Sequence, residues 1–229
     1  MDSTLYVIAT PIGNLEDLSL RARRVLSEVG TLIAEDTRVA RALLSGIGLP
    51  APRIVALHAH SSEKDVRNAI ERLAAGERCA LVTDAGTPGI SDPGAHFLDR
   101  AYAALPGLHV VPIPGPSAAV TALSVSGFYA DRFLFLGFPP HKKGRAAFFK
   151  EVADADETVV FYESPHRIEK TLDALAESLE AKRRICIGRE LTKVYETIVR
   201  GPVAHVLEVV RAAPLKGEFV IVVERAARR

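Results

Sequence analysis

The sequence predicts an α/β protein of two domains, the N-terminal one built on a mostly parallel sheet and the C-terminal one on a mixed sheet. Three observations carry this expectation. Through residue 113, short runs that are apolar throughout alternate with segments of helical periodicity, as doubly covered strands alternate with their helices. Pro112-Ile-Pro-Gly-Pro116 then places three prolines in five residues and marks a boundary between domains 1–113 and 114–229. Beyond it, several apolar runs are able to pair antiparallel.

The elements follow in order. LYVIA (5–9) is the first strand, and Leu18, Ala22, Val25 and Val29 then recur at helical spacing before Gly30. Further strands are expected at 31–35, 53–57, 79–83 and 109–113. Ser62 caps a helix carrying Val66, Ala69, Ile70 and Leu73 that stops at Gly76, and Phe97, Leu98, Ala101, Tyr102 and Leu105 form another. In the second half, strands are expected at 133–138, 157–162, 184–188, 195–199 and 218–223, with a helix on Ile168, Leu172, Leu175 and Leu179. No fixed-period repeat or low-complexity segment interrupts this order.

Composition narrows the function classes. With 48% hydrophobic and 25% charged residues in 229, disorder over most of the chain is excluded. No apolar run approaches the roughly 18 residues of a membrane span. The start MDSTLYVIATPIGN lacks the basic region of a secretory signal, and the two cysteines suggest no disulfide, so a cytoplasmic setting is expected. Lys and Arg number 29 against 28 acids, so any grip on nucleic acid must come from a local patch. His58 and His60 are the nearest approach to a metal pair, and with no third ligand nearby no metal is expected. The absence of G-x-G-x-x-G and G-x-S-x-G argues against a dinucleotide site and a serine hydrolase.

Ligands of parallel sheets bind outside the carboxyl ends of the strands, so the segments after each run are the candidates. Thr10-Pro-Ile-Gly-Asn14 is expected to open a helix, with Gly13 allowing close backbone approach. In Glu35-Asp36-Thr37-Arg38, adjacent carboxylates are costly to bury and belong at a wet cleft, although Asp36 or Thr37 can equally cap a helix. The stretch 84–94 contains three Gly, two Pro and two Asp, a rigid loop suited to wrapping a ligand. Ser117 can cap the helix after the proline-rich stretch. In the second half, Lys142, Lys143 and Arg145 form a dense basic loop suited to phosphate contact or simply to solvation. Glu163–Arg167, where Ser164 can cap a helix, and Arg189–Lys193 with Tyr195 and Glu196 are polar clusters after strands, each equally suited to a site or to an ion-pair network, and Lys216-Gly-Glu218 is a tight turn.

Together, ATPIGNLEDLSLRA, AEDTR, TDAGTPGISDPG, PIPGPSAA, FLGFPP, FYESPHR, GRELTKVYE and KGEFVIVVE run in this order over nearly the whole chain. The series resembles the tetrapyrrole methylase-like family, the class III methyltransferases, and within it the branch that acts on small-subunit ribosomal RNA. The resemblance implies an enzyme using S-adenosylmethionine to methylate the 2′-hydroxyl of a cytidine in the decoding region of 16S rRNA. It also implies a donor held between the two domains, and a homodimer acting on rRNA within the ribosomal subunit. Carried over by position, it implies donor contacts from Pro11, Ile12 and Gly13, from Asp84, Ala85, Gly86, Ile90, Ser91 and Asp92, and from Ser117 and Ala118, with Gly137 and Gly217 over the adenine. Tetrapyrrole-acting members usually carry G-x-G-P-G where this chain has Ala9-Thr-Pro-Ile-Gly13, a departure that speaks against a porphyrin-like substrate.

A sulfonium already activates the methyl group, so the protein must mainly align oxygen, carbon and sulfur, a contribution on the order of 7–11 kcal/mol. Backbone carbonyls are expected near the sulfonium. Glu35, Asp36, Glu190 and Lys193 are the candidate proton acceptors. Arg38, Arg167, Lys142, Lys143 and Arg145 are the candidate phosphate ligands. Methylation of a tetrapyrrole-like small molecule and a non-catalytic RNA-binding module are the alternatives.

Overall fold

The computed structural model describes residues 3–59 and 61–226. His60 lies outside them. The chain forms two compact units, residues 1–117 and 118–229, so the Pro112–Pro116 stretch belongs to the first.

The first unit is a five-stranded parallel sheet. Its strands are β1 (Thr4–Ile8), β2 (Thr31–Ala34), β3 (Arg53–Ala56), β4 (Cys79–Val82) and β5 (His109–Ile113), in the spatial order β3-β2-β4-β1-β5. Helices α1 (Leu20–Glu28) and α2 (Thr37–Gly46) bury Val25, Leu26, Ala40 and Leu44 against one face, over Ile8, Leu32 and Val82. Helices α3 (Glu63–Ala74) and α4 (Gly94–Ala104) bury Val66, Leu73, Phe97 and Ala101 against the other, over Leu5, Ile33 and Leu81. The central strands are apolar on both faces for this reason. The chain leaves β1 and β2 toward one face and β4 toward the other, so the β4 exit loop diverges from its neighbours. Such a reversal is where open α/β sheets hold ligands.

One local expectation of the first unit gives way. Thr10–Asn14 does not open a helix. Asn14 accepts from the Glu16 amide to cap a single 3-10 turn at Leu15–Asp17, and α1 starts after Ser19, whose Oγ accepts from the Ala22 amide. Ser62 caps α3 as expected, in a reciprocal capping box with Asp65.

The second unit is a mixed five-stranded sheet of β6 (Phe133–Phe135), β7 (Thr158–Glu163), β8 (Arg184–Arg189), β9 (Thr197–Pro202) and β10 (Phe219–Val223), ordered β6-β7-β10-β8-β9. β6 runs parallel to β7, and the other neighbours are antiparallel. Helix α5 (Ala118–Ser126) lies against β7, β8 and β10. Helices α6 (Arg145–Asp154), α7 (Ile168–Ser178) and α8 (Val203–Arg211) cover the apolar core formed by Phe161, Ile187, Phe219 and Ile221. β6 stops short of the expected 138 because Gly137 turns left-handed at φ 61° ahead of Pro139 and Pro140. β9 begins at Thr197, not Tyr195. The Thr192 amide bonds the Glu196 carboxylate at 2.6 Å, which keeps 195–196 in a turn. Ser164 does not cap α7 through its side chain. Its carbonyl accepts from the amides of Arg167 and Ile168 instead.

Candidate functional site

Three strand exits of the first unit converge. Thr10 after β1 and Gly86 after β4 exchange backbone hydrogen bonds at 2.9 and 3.2 Å. The Thr10 hydroxyl, fully buried, reaches the carbonyls of Thr83 and Gly86 at 3.2 and 3.3 Å. The Thr87 hydroxyl donates to the Pro116 carbonyl at 3.0 Å, joining the β4 exit to the β5 exit. Gly86 sits at φ 90°, and a Cβ there would come within 3.4 Å of Ile12 and 3.6 Å of the Pro116 carbonyl. These are ordinary contacts, so it is the left-handed backbone rather than lack of space that calls for glycine here. Of the expected donor residues, Ile12 and Gly86 are brought together, with Pro11, Gly13, Asp84, Ala85 and Ser117 beside them in the same segments. Ala118 opens α5 in the second unit.

Asp92 is committed within its own loop. Its carboxylate accepts from the amides of Gly89 at 2.9 Å and Gly94 at 2.7 Å, so it braces the β4 exit at the start of α4. Ser91, next to it, holds a left-handed φ of 63°, a conformation that costs a non-glycine residue on the order of 1–2 kcal/mol. Such strain concentrates at ligand sites.

The β2 exit is tied to β4 as well. The Thr83 hydroxyl donates to Glu35 Oε2 at 3.0 Å, and the Asp36 amide donates to Asp84 Oδ1 at 3.0 Å. Burial raises the Glu35 and Asp84 carboxyls, with the neighbouring acids adding to the effect. Asp36 goes the other way. It caps α2, accepting from the Arg38 amide and guanidinium, and these bonds hold its carboxyl down at about 2. A carboxylate so stabilised is a poor proton acceptor. Arg38 is held beside it but remains solvent-facing, its side chain 87% exposed.

In the second unit, Glu190 and Lys193 build a turn. Glu190 Oε1 accepts from Lys193 Nζ at 2.8 Å and from the Glu218 amide at 2.9 Å, and Lys193 also reaches Glu218 Oε2 at 3.0 Å. Burial alone would lower the Lys193 ammonium, but its bonds to Glu190 and Glu218 outweigh that and raise it. A protonated amine cannot accept a proton, so this pair holds the Lys216–Glu218 turn around Gly217.

Arg145 and Arg167 are also occupied. Both face Glu163, whose side chain is fully buried. Arg167 pairs with Glu163 Oε1 at 2.9 Å, and Arg145 lies 3.9 Å from Oε2. Arg145 further donates to Thr171 Oγ1 at 2.7 Å, and Arg167 to the Pro139 carbonyl at 2.8 Å. The two guanidiniums clamp the proline-broken loop rather than standing free for phosphate, and of the expected cations in this loop Lys142 and Lys143 are left exposed. The sequence reading placed Glu163 in the polar cluster 163–167, where an ion-pair network was one of the two expectations, and such a network is what forms. The available signal was a lone acid closing an otherwise apolar strand, which demands a buried partner.

The sequence profile described as Tetrapyrrole (Corrin/Porphyrin) Methylases matches residues 4–207. The chain is 44% identical over 223 residues to the ribosomal RNA small subunit methyltransferase I of Pasteurella multocida strain Pm70, covering 96% of this chain and 78% of that one. It is 42% identical over 221 residues to the protein of the same name from Bacillus subtilis strain 168, covering 96% and 74%. The chain belongs to the ribosomal RNA small subunit methyltransferase I family, within the tetrapyrrole methylases. The fold of this family member is also that of a cobalt precorrin-4 methyltransferase, with TM-score 0.70 at 15% identity over 97% of this chain and 95% of that one. A uroporphyrin-III-C-methyltransferase from Thermus thermophilus superposes with TM-score 0.65 at 18% identity, covering 96% and 94%.

Proposed function

We propose that this protein transfers a methyl group from S-adenosylmethionine to the 2′-hydroxyl of a cytidine in small-subunit ribosomal RNA. The observation that carries the reading is the junction where the β1, β4 and β5 exits meet, with Thr10 and Gly86 exchanging backbone hydrogen bonds and Gly86 held at a φ of 90° that favours glycine. It is joined to a near-full-length likeness to relatives named as rRNA methyltransferases. The donor fits this site, because narrow backbone turns present carbonyls and amides to a ligand rather than side chains. Pro11–Gly13, Asp84–Gly86 and Ser117 would hold it, with Ile90, Ser91 and Asp92 shaping the far side of the loop. Bound there, the donor supplies an activated methyl group.

The chain's own contribution is positional. The Thr10–Gly86 pairing and the Asp92 brace fix the loops before the ligand arrives, so little ordering entropy remains for binding or reaction. Lys142 and Lys143 on their clamped loop, and Arg38 at the β2 exit, offer charge to the RNA backbone without reading sequence. We place the enzyme in the cytoplasm as a homodimer acting on the ribosomal subunit.

The test is nucleoside mass analysis of small-subunit rRNA with and without the protein, together with calorimetry of donor binding. One ribose-methylated cytidine should depend on the protein, and Gly86→Val should abolish donor binding. If no ribose methyl group changes, the reading fails.

A further inference from the structure

Beside the donor junction, the first unit holds a cavity of about 490 Å³, within the roughly 300–1,000 Å³ typical of small-ligand sites. It is lined by Glu35 after β2, Leu57 and His58 after β3, Val66 of α3, Ser91 of the β4 exit and His96 of α4. In the strand order β3-β2-β4-β1-β5 these residues stand on one side of the β4 exit, while Ile12 and Pro116 stand on the other. One loop therefore separates the cavity from the junction.

The lining has the chemistry of a heteroaromatic ring site. Leu57 and Val66 give apolar wall, two imidazoles give surfaces on which a base can stack, and a single carboxylate gives an acceptor. The Thr83 hydroxyl fixes one oxygen of that carboxylate at 3.0 Å and the Asp84 backbone also bonds it, which orients the group and leaves about two of its roughly four acceptor positions for a ligand. The strained Ser91 backbone belongs both to this cavity and to the loop assigned to the donor. A nucleotide whose sugar faces that loop has its base one glycosidic bond away.

We propose that this cavity receives the pyrimidine of the nucleotide being methylated, drawn out of its stack, with Glu35 accepting a hydrogen bond from the 4-amino group of cytosine. The inference rests on the reading of an RNA ribose as the methyl acceptor. Uracil carries an acceptor oxygen at the same position, which a carboxylate repels. Glu35 is on this view a specificity-determining residue, not the proton acceptor. Extrusion of the base costs a few kcal/mol of unstacking, which contacts with the apolar wall and the imidazoles would offset.

The experiment measures ribose methylation on reconstituted small subunits carrying either cytidine or uridine at the modified position, with donor affinity followed by calorimetry. For Glu35→Gln, the ratio of cytidine to uridine methylation should fall on the order of tenfold, with donor affinity retained. For His96→Ala, KM for the subunit should rise at unchanged donor affinity. An equal fall on both substrates would assign Glu35 to catalysis or folding and overturn the proposal, as would an unchanged ratio or a loss of donor binding. Wild-type protein that methylates neither substrate would sink the proposed function itself, a distinct outcome.

Discussion

Glu163 shows how much one side chain can hold. It is buried, faces two guanidiniums and accepts from Thr171 and from the Ser164 amide. Replacing it with Gln leaves two cations facing each other over a neutral amide. Breaking a buried pair this way costs roughly 3 kcal/mol, at the low end because both arginines keep some solvent. Urea denaturation of Glu163→Gln should show that loss, and RNA affinity should fall with it as the basic loop loses its clamp. Asp36 offers a pH test. Its folded carboxyl lies near 2, below the ordinary 3.8, so its cap stabilises α2 fully above 3.8 and less as the pH falls through 2. The stability gap between the protein and Asp36→Ala, measured by denaturant titration, should therefore narrow below pH 3.8 and close near pH 2. Cys79 is buried within β4, and burial pushes its thiol up to about 12. Alkylation at neutral pH should reach Cys79 only at the rate of unfolding, as intact-mass labelling kinetics would show.

At the scale of elements, the capping box on α3 offers a direct test. Ser62→Ala should destabilise the first unit by about 1 kcal/mol in thermal unfolding, since a Ser cap is worth that much. The central strands β2 and β4 of the first unit were legible in the sequence because both are buried throughout, while β1, β3 and β5 were legible from short apolar runs although they are partly exposed. The edge strand β9 was legible as an element but not in its bounds, expected at 195–199 and found at Thr197–Pro202. It pairs only with β8, exposes Thr197, Ile198 and Arg200, and so lacks the signal that marked its neighbours. Helix α6 was hidden differently. Gly144 precedes it with no side-chain cap, and Phe148, Phe149 and Val152 bury the middle of a segment whose start carries the basic loop. Helix α8 follows β9 directly behind Pro202, again without a cap, so neither end announced it. The loops after β1, β4 and β5 were legible as irregular turns from their glycine and proline content. The commitments of Glu190, Lys193, Arg145 and Arg167 were not, because each is fixed by a partner more than twenty residues away in at least one contact.

For the molecule as a whole, charge is balanced globally and uneven locally. Net charge is only +1, so RNA affinity must come from a few exposed cations. Lys142→Ala with Lys143→Ala should lower the slope of log affinity against log salt by roughly two while leaving donor affinity unchanged, as filter binding across a salt series would measure. A macrocycle methyltransferase would show no such dependence. No described helix is long and apolar enough to cross a membrane.

The position of β10 bears on how the second unit is made. This strand lies between β7 and β8, bonded to both, yet it comes after every other strand in the chain. Until it leaves the ribosome, the earlier hairpin of β8 and β9 and the β6–β7 pair lack the strand that hydrogen-bonds them into one sheet. The first sheet, whose strands all precede residue 114, can close while the rest is still being translated. A nascent chain stalled before Phe219 would thus carry one finished half and one that waits.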